Sequence, residues 1–93
     1  MIQITSASNA EYKHIKSLQD KKYRKKYGEY TVEGIKSVRD ALASERVVKK
    51  IIVSEGFEFD TPTDIETIQM SEALFNKLCD TQTPQGIMAI IKM

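Results

Sequence analysis

The chain has 93 residues, 41% of them hydrophobic and 29% charged, with a formal net charge of +1, enough for one domain around a single modest core. No apolar run approaches bilayer length and the N-terminus lacks the apolar stretch of a signal peptide, so a soluble, cytoplasmic protein with no membrane partner is expected. One cysteine, Cys79, cannot close an internal disulfide, and with His14 the only histidine there is no ligand set for a structural metal.

The charge is unevenly placed. Residues 1–28 carry seven Lys/Arg against Glu11 and Asp20, a net +5, whereas residues 29–93 carry seven against eleven Asp/Glu, a net −4. A pole of one sign on a nearly neutral chain points to a polyanion that docks at one end.

In chain order, Ser8-Asn9 offers a cap for a helix starting at Ala10, with Glu11 complementing the dipole in its first turn. Tyr12, Ile15 and Leu18 form a narrow apolar stripe through about Asp20, with Lys13, Lys16 and Lys21 off it and His14 expected on the solvated side. Lys21-Lys22-Tyr23-Arg24-Lys25-Lys26-Tyr27 follows, a basic run broken by two rings. Cations for phosphates and rings for bases or sugars suit RNA. The alternative is a solvated helix end whose tyrosines pack inward.

Tyr30 and Val32 alternate with Thr31 and Glu33, the period of a strand with one buried face. After Gly34 the period becomes helical: Ile35, Val38 and Leu42 share a face, with Lys36, Ser37, Arg39 and Asp40 turned away. A strand feeding a helix through glycine leaves free amides that suit an anion such as phosphate; a plain strand–helix turn without a ligand is the alternative. Val47–Val53 ends in an apolar run typical of a strand covered on both faces. Gly56–Thr63 reads as a loop, Ile65–Ile68 as a strand, and Ser71 as the cap of a helix burying Leu74, Phe75 and Leu78, with Cys79 packed or half-packed. Asp80–Gly86 is turn-rich, and Ile87–Ile91 closes as a buried strand.

This order predicts an α/β fold, a small mixed sheet of about four strands with helices on both faces. No catalytic residue is expected. Asp60/Asp64 and Glu55/Glu58 sit in or beside a polar loop, and the Ser, His and Asp ingredients of a triad are scattered singly.

Asn9 with Ile15-Lys16, the Lys21–Lys26 run, Tyr30-x-Val32-Glu33-Gly34, Ile51-Ile52-Val53-Ser54-Glu55 and Asp80-Thr81-x-Thr83-Pro84-Gln85-Gly86-Ile87 follow one another in a familiar order. The chain resembles, over nearly its whole length, the N-terminal substrate-binding domain of the SpoU (TrmH-type) RNA 2′-O-ribose methyltransferases. Ala10 stands where the family often has proline, and Tyr30 where Phe or Leu is commoner. The resemblance implies a fold similar to the kink-turn-binding ribosomal proteins and a single RNA substrate-binding domain over residues 1–93. It implies that the glycine turn, here Gly34, Ile35, Lys36 and Ser37, grips RNA backbone, and with the basic run the expected RNA contacts are Lys22, Arg24, Lys25, Lys26, Gly34, Lys36, Arg39, Thr83, Gln85 and Gly86. Glu33 is left with two roles, accepting from a ribose hydroxyl or base edge, or bracing Lys36 or Arg24. Lys36-Ser37 replaces the Asn-Glu pair of the kink-turn binders, which implies looser stem-loop or rRNA recognition, with rRNA expected ahead of tRNA.

In that family a second, knotted domain binds S-adenosylmethionine and transfers the methyl group, and its glycine-rich cofactor loops have no counterpart in these residues. The implied protein is thus a piece of a longer enzyme, itself without cofactor and monomeric, while the parent dimerises through the knotted domain. Two other readings stay open: a free-standing RNA-binding protein of ribosomal-protein-like fold, and a protein-interaction module whose basic end meets an acidic partner.

Overall fold

A computed structural model describes residues 1–79 and 84–93. The elements run β1 (Ile2–Ile4), α1 (Ala10–Ser17), α2 (Lys21–Tyr27), β2 (Glu29–Glu33), α3 (Ile35–Ala43), β3 (Val48–Ser54), β4 (Glu66–Met70), α4 (Glu72–Leu78) and β5 (Ile87–Lys92). The strands form one mixed sheet in the order β1-β4-β3-β5-β2. β1, β4 and β3 are parallel to one another, and β5 runs antiparallel to both β3 and β2.

Alternation along the central strands sorts the core into two layers. Ile52, Ile68, Met88 and Ile90 face α1 and α4, where they meet Tyr12, Ile15, Leu18, Phe75 and Leu78. Ile51, Val53, Ile87, Ala89 and Ile91 face the other way, against Val38 and Ala41 of α3. Each fully buried Ile, Leu or Phe side chain contributes about 1.5–3 kcal/mol, so both faces need their helices. The α/β architecture expected from the sequence is present.

Two details differ from expectation. The sheet has five strands where about four were predicted: Ile2-Gln3-Ile4 pairs with β4, placing Ile2 opposite Ile68 and Ile4 opposite Met70. Only Ile4 of the three is buried, so three residues gave too short an alternation to register as a strand. The expected first helix through Asp20 is also two helices. Asp20 leaves the helical region at φ −98°, ψ 126°, and its carboxylate accepts from the Lys22 amide. The residue read as a helix tail is the cap of a new helix. Gly28, left-handed at φ 66°, ends α2 and donates to the Arg24 carbonyl, an ordinary glycine stop.

Candidate nucleic-acid interface

β2 is an outer strand of the sheet, and the predicted site residues border it at both ends. At its exit Gly34 adopts φ 92°, ψ 154°, a conformation almost confined to glycine. Its amide donates to Ile87 O at 3.0 Å, which ties the start of α3 to the start of β5. The Ile35 amide donates to Gln85 Oε1 at 2.9 Å. That approach needs the missing side chain, since a Cβ on Gly34 would lie 2.9 Å from the same oxygen. Gln85 therefore fills the first place at the α3 N-terminus that an anion could have taken. The amides of Lys36 and Ser37 have no acceptor among the described residues, as expected at a helix start.

A cleft of about 390 Å³ opens there, walled by Glu33, Gly34, Lys36, Ser37, Cys79, Pro84, Gln85 and Ile87. The sequence-predicted Glu33, Gly34, Lys36 and Gln85 are thus together. Gly86 lies just behind, its backbone against the Phe57 ring, which an added Cβ would meet at 3.0 Å. Arg39 is not in this cleft: its guanidinium sits 6.0 Å from the Phe59 ring, beside a separate groove walled by Ile35, Leu42 and Asp60. Thr83 lies outside the described residues.

Along α2 no residue is fully buried. Lys21, Lys22, Lys25 and Lys26 are exposed, and none has an ion-pair partner among the described residues. Arg24 behaves differently. Its Nη1 donates to the carbonyls of Leu18 and Gln19, both at 2.9 Å, so the guanidinium closes the end of α1 and fixes the α1–α2 corner. The rings of Tyr23 and Tyr27 lie 6.1 Å apart and nearly parallel, at 15°. The Lys22 and Lys26 ammonium groups lie 5.5 and 6.0 Å from the Tyr23 centroid.

His14, expected in solvent, is half-buried, its Nε2 donating to Glu29 Oε1 at 2.7 Å while its ring packs against Tyr27 with centroids 4.5 Å apart and planes at 63°. Glu29 is 7% exposed and also accepts from the Lys49 ammonium. Burial pushes the Glu29 carboxyl upward, but the hydrogen bonds and charges of Lys49 and His14 outweigh it and hold the group below its ordinary range. Sequence reasoning missed this cluster. Its residues are far apart in the chain, and the only signal was an acid at the first position of an otherwise half-buried strand.

The two ends of the site are joined through α1. Gln19 Nε2 donates to Leu78 O at 2.6 Å, next to Cys79 in the cleft wall, while Arg24 holds the Gln19 carbonyl. α2 therefore starts on the cleft side and runs toward Gly28, whose carbonyl accepts from the Met93 amide at the opposite end of β5. Among the described residues no helix is long and apolar enough to cross a membrane, and no group of three His, Cys, Asp or Glu could hold a metal ion.

The sequence matches the family described as MRM3-like substrate binding domain over residues 9–89. It is 39% identical, over 97 aligned residues, to the 23S rRNA (guanosine(2553)-2′-O)-methyltransferase RlmP of Bacillus subtilis strain 168, covering all of this chain and 38% of the relative. The fold matches a solved RNA 2′-O ribose methyltransferase with a TM-score of 0.85 at 25% identity, covering 99% of this chain and 38% of that one. It also matches the AdoMet-bound rRNA methyltransferase of Sinorhizobium meliloti with a TM-score of 0.79 at 21% identity, covering 98% and 36%. The chain spans little more than a third of each relative's length.

Proposed function

The chain belongs to the MRM3-like substrate-binding domain family of the SpoU/TrmH RNA methyltransferases, and on that premise we propose that it is the RNA-recognition domain of an rRNA 2′-O-ribose methyltransferase. Its task is positional: RNA held against this surface presents one ribose hydroxyl to a catalytic domain, turning an encounter into an oriented reaction. The observation that carries this is four exposed lysines on α2, with no ion-pair partner among the described residues, and the Lys36 cleft, which border one outer strand at its two ends. Lys22, Lys25, Lys26 and Lys36 neutralise phosphates, the Lys36 and Ser37 amides take one phosphate oxygen, and the Gln85 amide nitrogen donates alongside. Arg24 acts mainly by fixing the corner that aims these lysines. Arg39, Thr83 and Gly86 extend the surface, and Glu33 is the acceptor beside Lys36.

We assign methyl transfer to a knotted domain of a longer parent, residues 1–93 forming its single substrate-binding domain. S-adenosylmethionine, bound by the Sinorhizobium protein of like fold, supplies the methyl group there. The open Gly34 cleft, with its first helix amide already taken by Gln85, fits a phosphate contact better than an enclosed nucleoside. By the same reading the enzyme is cytoplasmic, acts on rRNA ahead of tRNA and dimerises through its catalytic domain, while this domain alone is monomeric.

Charge reversal tests the reading. The 93-residue chain should bind a single-stranded rRNA fragment with an affinity that falls with salt, at a log–log slope of about −3 for four phosphate contacts. Lys22→Glu, Lys25→Glu and Lys26→Glu together should abolish it. Arg24 is left intact because its loss would disturb the fold. Undiminished affinity in the triple variant would contradict the proposal.

A further inference from the structure

A helix of lysines alone would serve for phosphate contact, yet α2 also carries two tyrosines that it does not bury. Tyr27 is 43% exposed, although packing it inward would remove a large apolar surface from water. Its ring is nonetheless held. The His14 ring packs against it with centroids 4.5 Å apart and planes at 63°, His14 is anchored on buried Glu29 at 2.7 Å, and Tyr23 lies nearly parallel alongside. The Lys26 ammonium stands 5.5 Å from the Tyr27 centroid. A partly exposed ring held by two neighbouring rings, with a cation over it, is preorganised, so a flat ligand that displaces the flexible lysine stem meets little ordering cost there.

We propose that α2 is a stacking platform for unpaired RNA: one or two single-stranded bases lie on the Tyr23–Tyr27 strip while Lys22 and Lys26 neutralise the adjoining phosphates. The inference rests on the RNA-binding reading above and deepens it by naming the form of RNA. Single-stranded RNA supplies both an anion and a π-face at every nucleotide, matching rings and ammonium groups that alternate along the helix. An acidic peptide would satisfy the lysines and leave the rings without a partner. A duplex would do the same, since its bases are stacked inside and its deep groove is closed to side chains.

The test measures fluorescence anisotropy of the 93-residue chain with three labelled RNAs: a short single strand, the same strand made abasic, and the corresponding duplex. The expected ranking places the intact single strand above both others. Tyr27→Ala should weaken single-strand binding by about fivefold to a hundredfold, the range for loss of one base–aromatic stack, without changing the salt slope or the duplex affinity. Tyr27→Phe should bind as the parent does, and the abasic strand should not distinguish parent from Tyr27→Ala. Because no residue of α2 is fully buried, Tyr27→Ala should lower the thermal midpoint only modestly and keep the parent's circular dichroism spectrum. A salt-sensitive affinity that is indifferent to Tyr27→Ala, or equal for abasic and intact strands, overturns the platform and leaves the RNA-binding reading standing. Equal binding of poly-glutamate overturns it in favour of an acidic protein partner. Affinity that survives the triple charge reversal removes both readings together.

Discussion

Glu29 and Arg24 show how far residues of similar appearance in sequence diverge once placed. Arg24 sits among lysines, yet it alone turns inward, its Nη1 donating both hydrogens to the Leu18 and Gln19 carbonyls, which a charged donor at a helix end favours. Glu29 accepts from His14 and Lys49 while nearly buried, so replacing the carboxylate by an amide removes its charge and turns an NH2 toward one of the two donors. Glu29→Gln should lower unfolding stability by about 1–3 kcal/mol at neutral pH, read by urea denaturation. Its folded-state value is depressed, so the stabilisation is present above the ordinary 4.5 and is lost as pH falls through the depressed value. The gap between parent and variant should therefore close in acid; a gap that persists there would place the effect in packing rather than charge. Lys50, half-buried, has the opposite sign. Burial lowers its value, but Glu11, Glu66 and Glu29 raise it above 10.5, so its contribution is complete below that pH and lost at more alkaline values.

Among the elements, the β2–α3 turn joins fold and site most tightly. Gly34→Ala would place a Cβ 2.9 Å from Gln85 Oε1 in a backbone region at φ 92° where side chains are strained by about 1–3 kcal/mol. It should reduce stability by roughly that amount and also weaken RNA binding, since the displaced Gln85 no longer caps Ile35; calorimetry and the anisotropy assay read the two effects separately, and wild-type behaviour in both would contradict the assigned geometry. This turn was legible in the sequence because the hydrophobic period changes from two to 3.6 across a single glycine. The central strands were legible too, from the apolar run Ile51-Ile52-Val53 and from Ile87–Ile91. β1 was not, being three residues long with one buried side chain. The break at Asp20 was hidden because an acidic residue after an amphipathic stripe reads equally as a helix tail or a fresh cap. Of the site, the lysines and the glycine cleft were visible. Gln85 as a helix cap and the His14–Glu29–Lys49 cluster were not, since both depend on contacts between residues fifteen or more apart in the chain.

Over the whole molecule, α2 and the Gly34 cleft must act as one surface at the two ends of β2, linked through Gln19 and the α1–α2 corner. The concentration of positive charge in residues 1–28 draws a polyanion to that side at long range, and the cleft and the tyrosine strip then fix how it lies. The most direct measurement is a two-dimensional amide NMR titration of the 93-residue chain with a single-stranded rRNA fragment. The account predicts that the amides of residues 21–27 and 34–37 shift together with one saturation curve, while those of β1 and β4, on the opposite side of the sheet, do not move. Shifts confined to only one of the two segments, or two segments titrating with separate midpoints, would contradict a single RNA-binding surface.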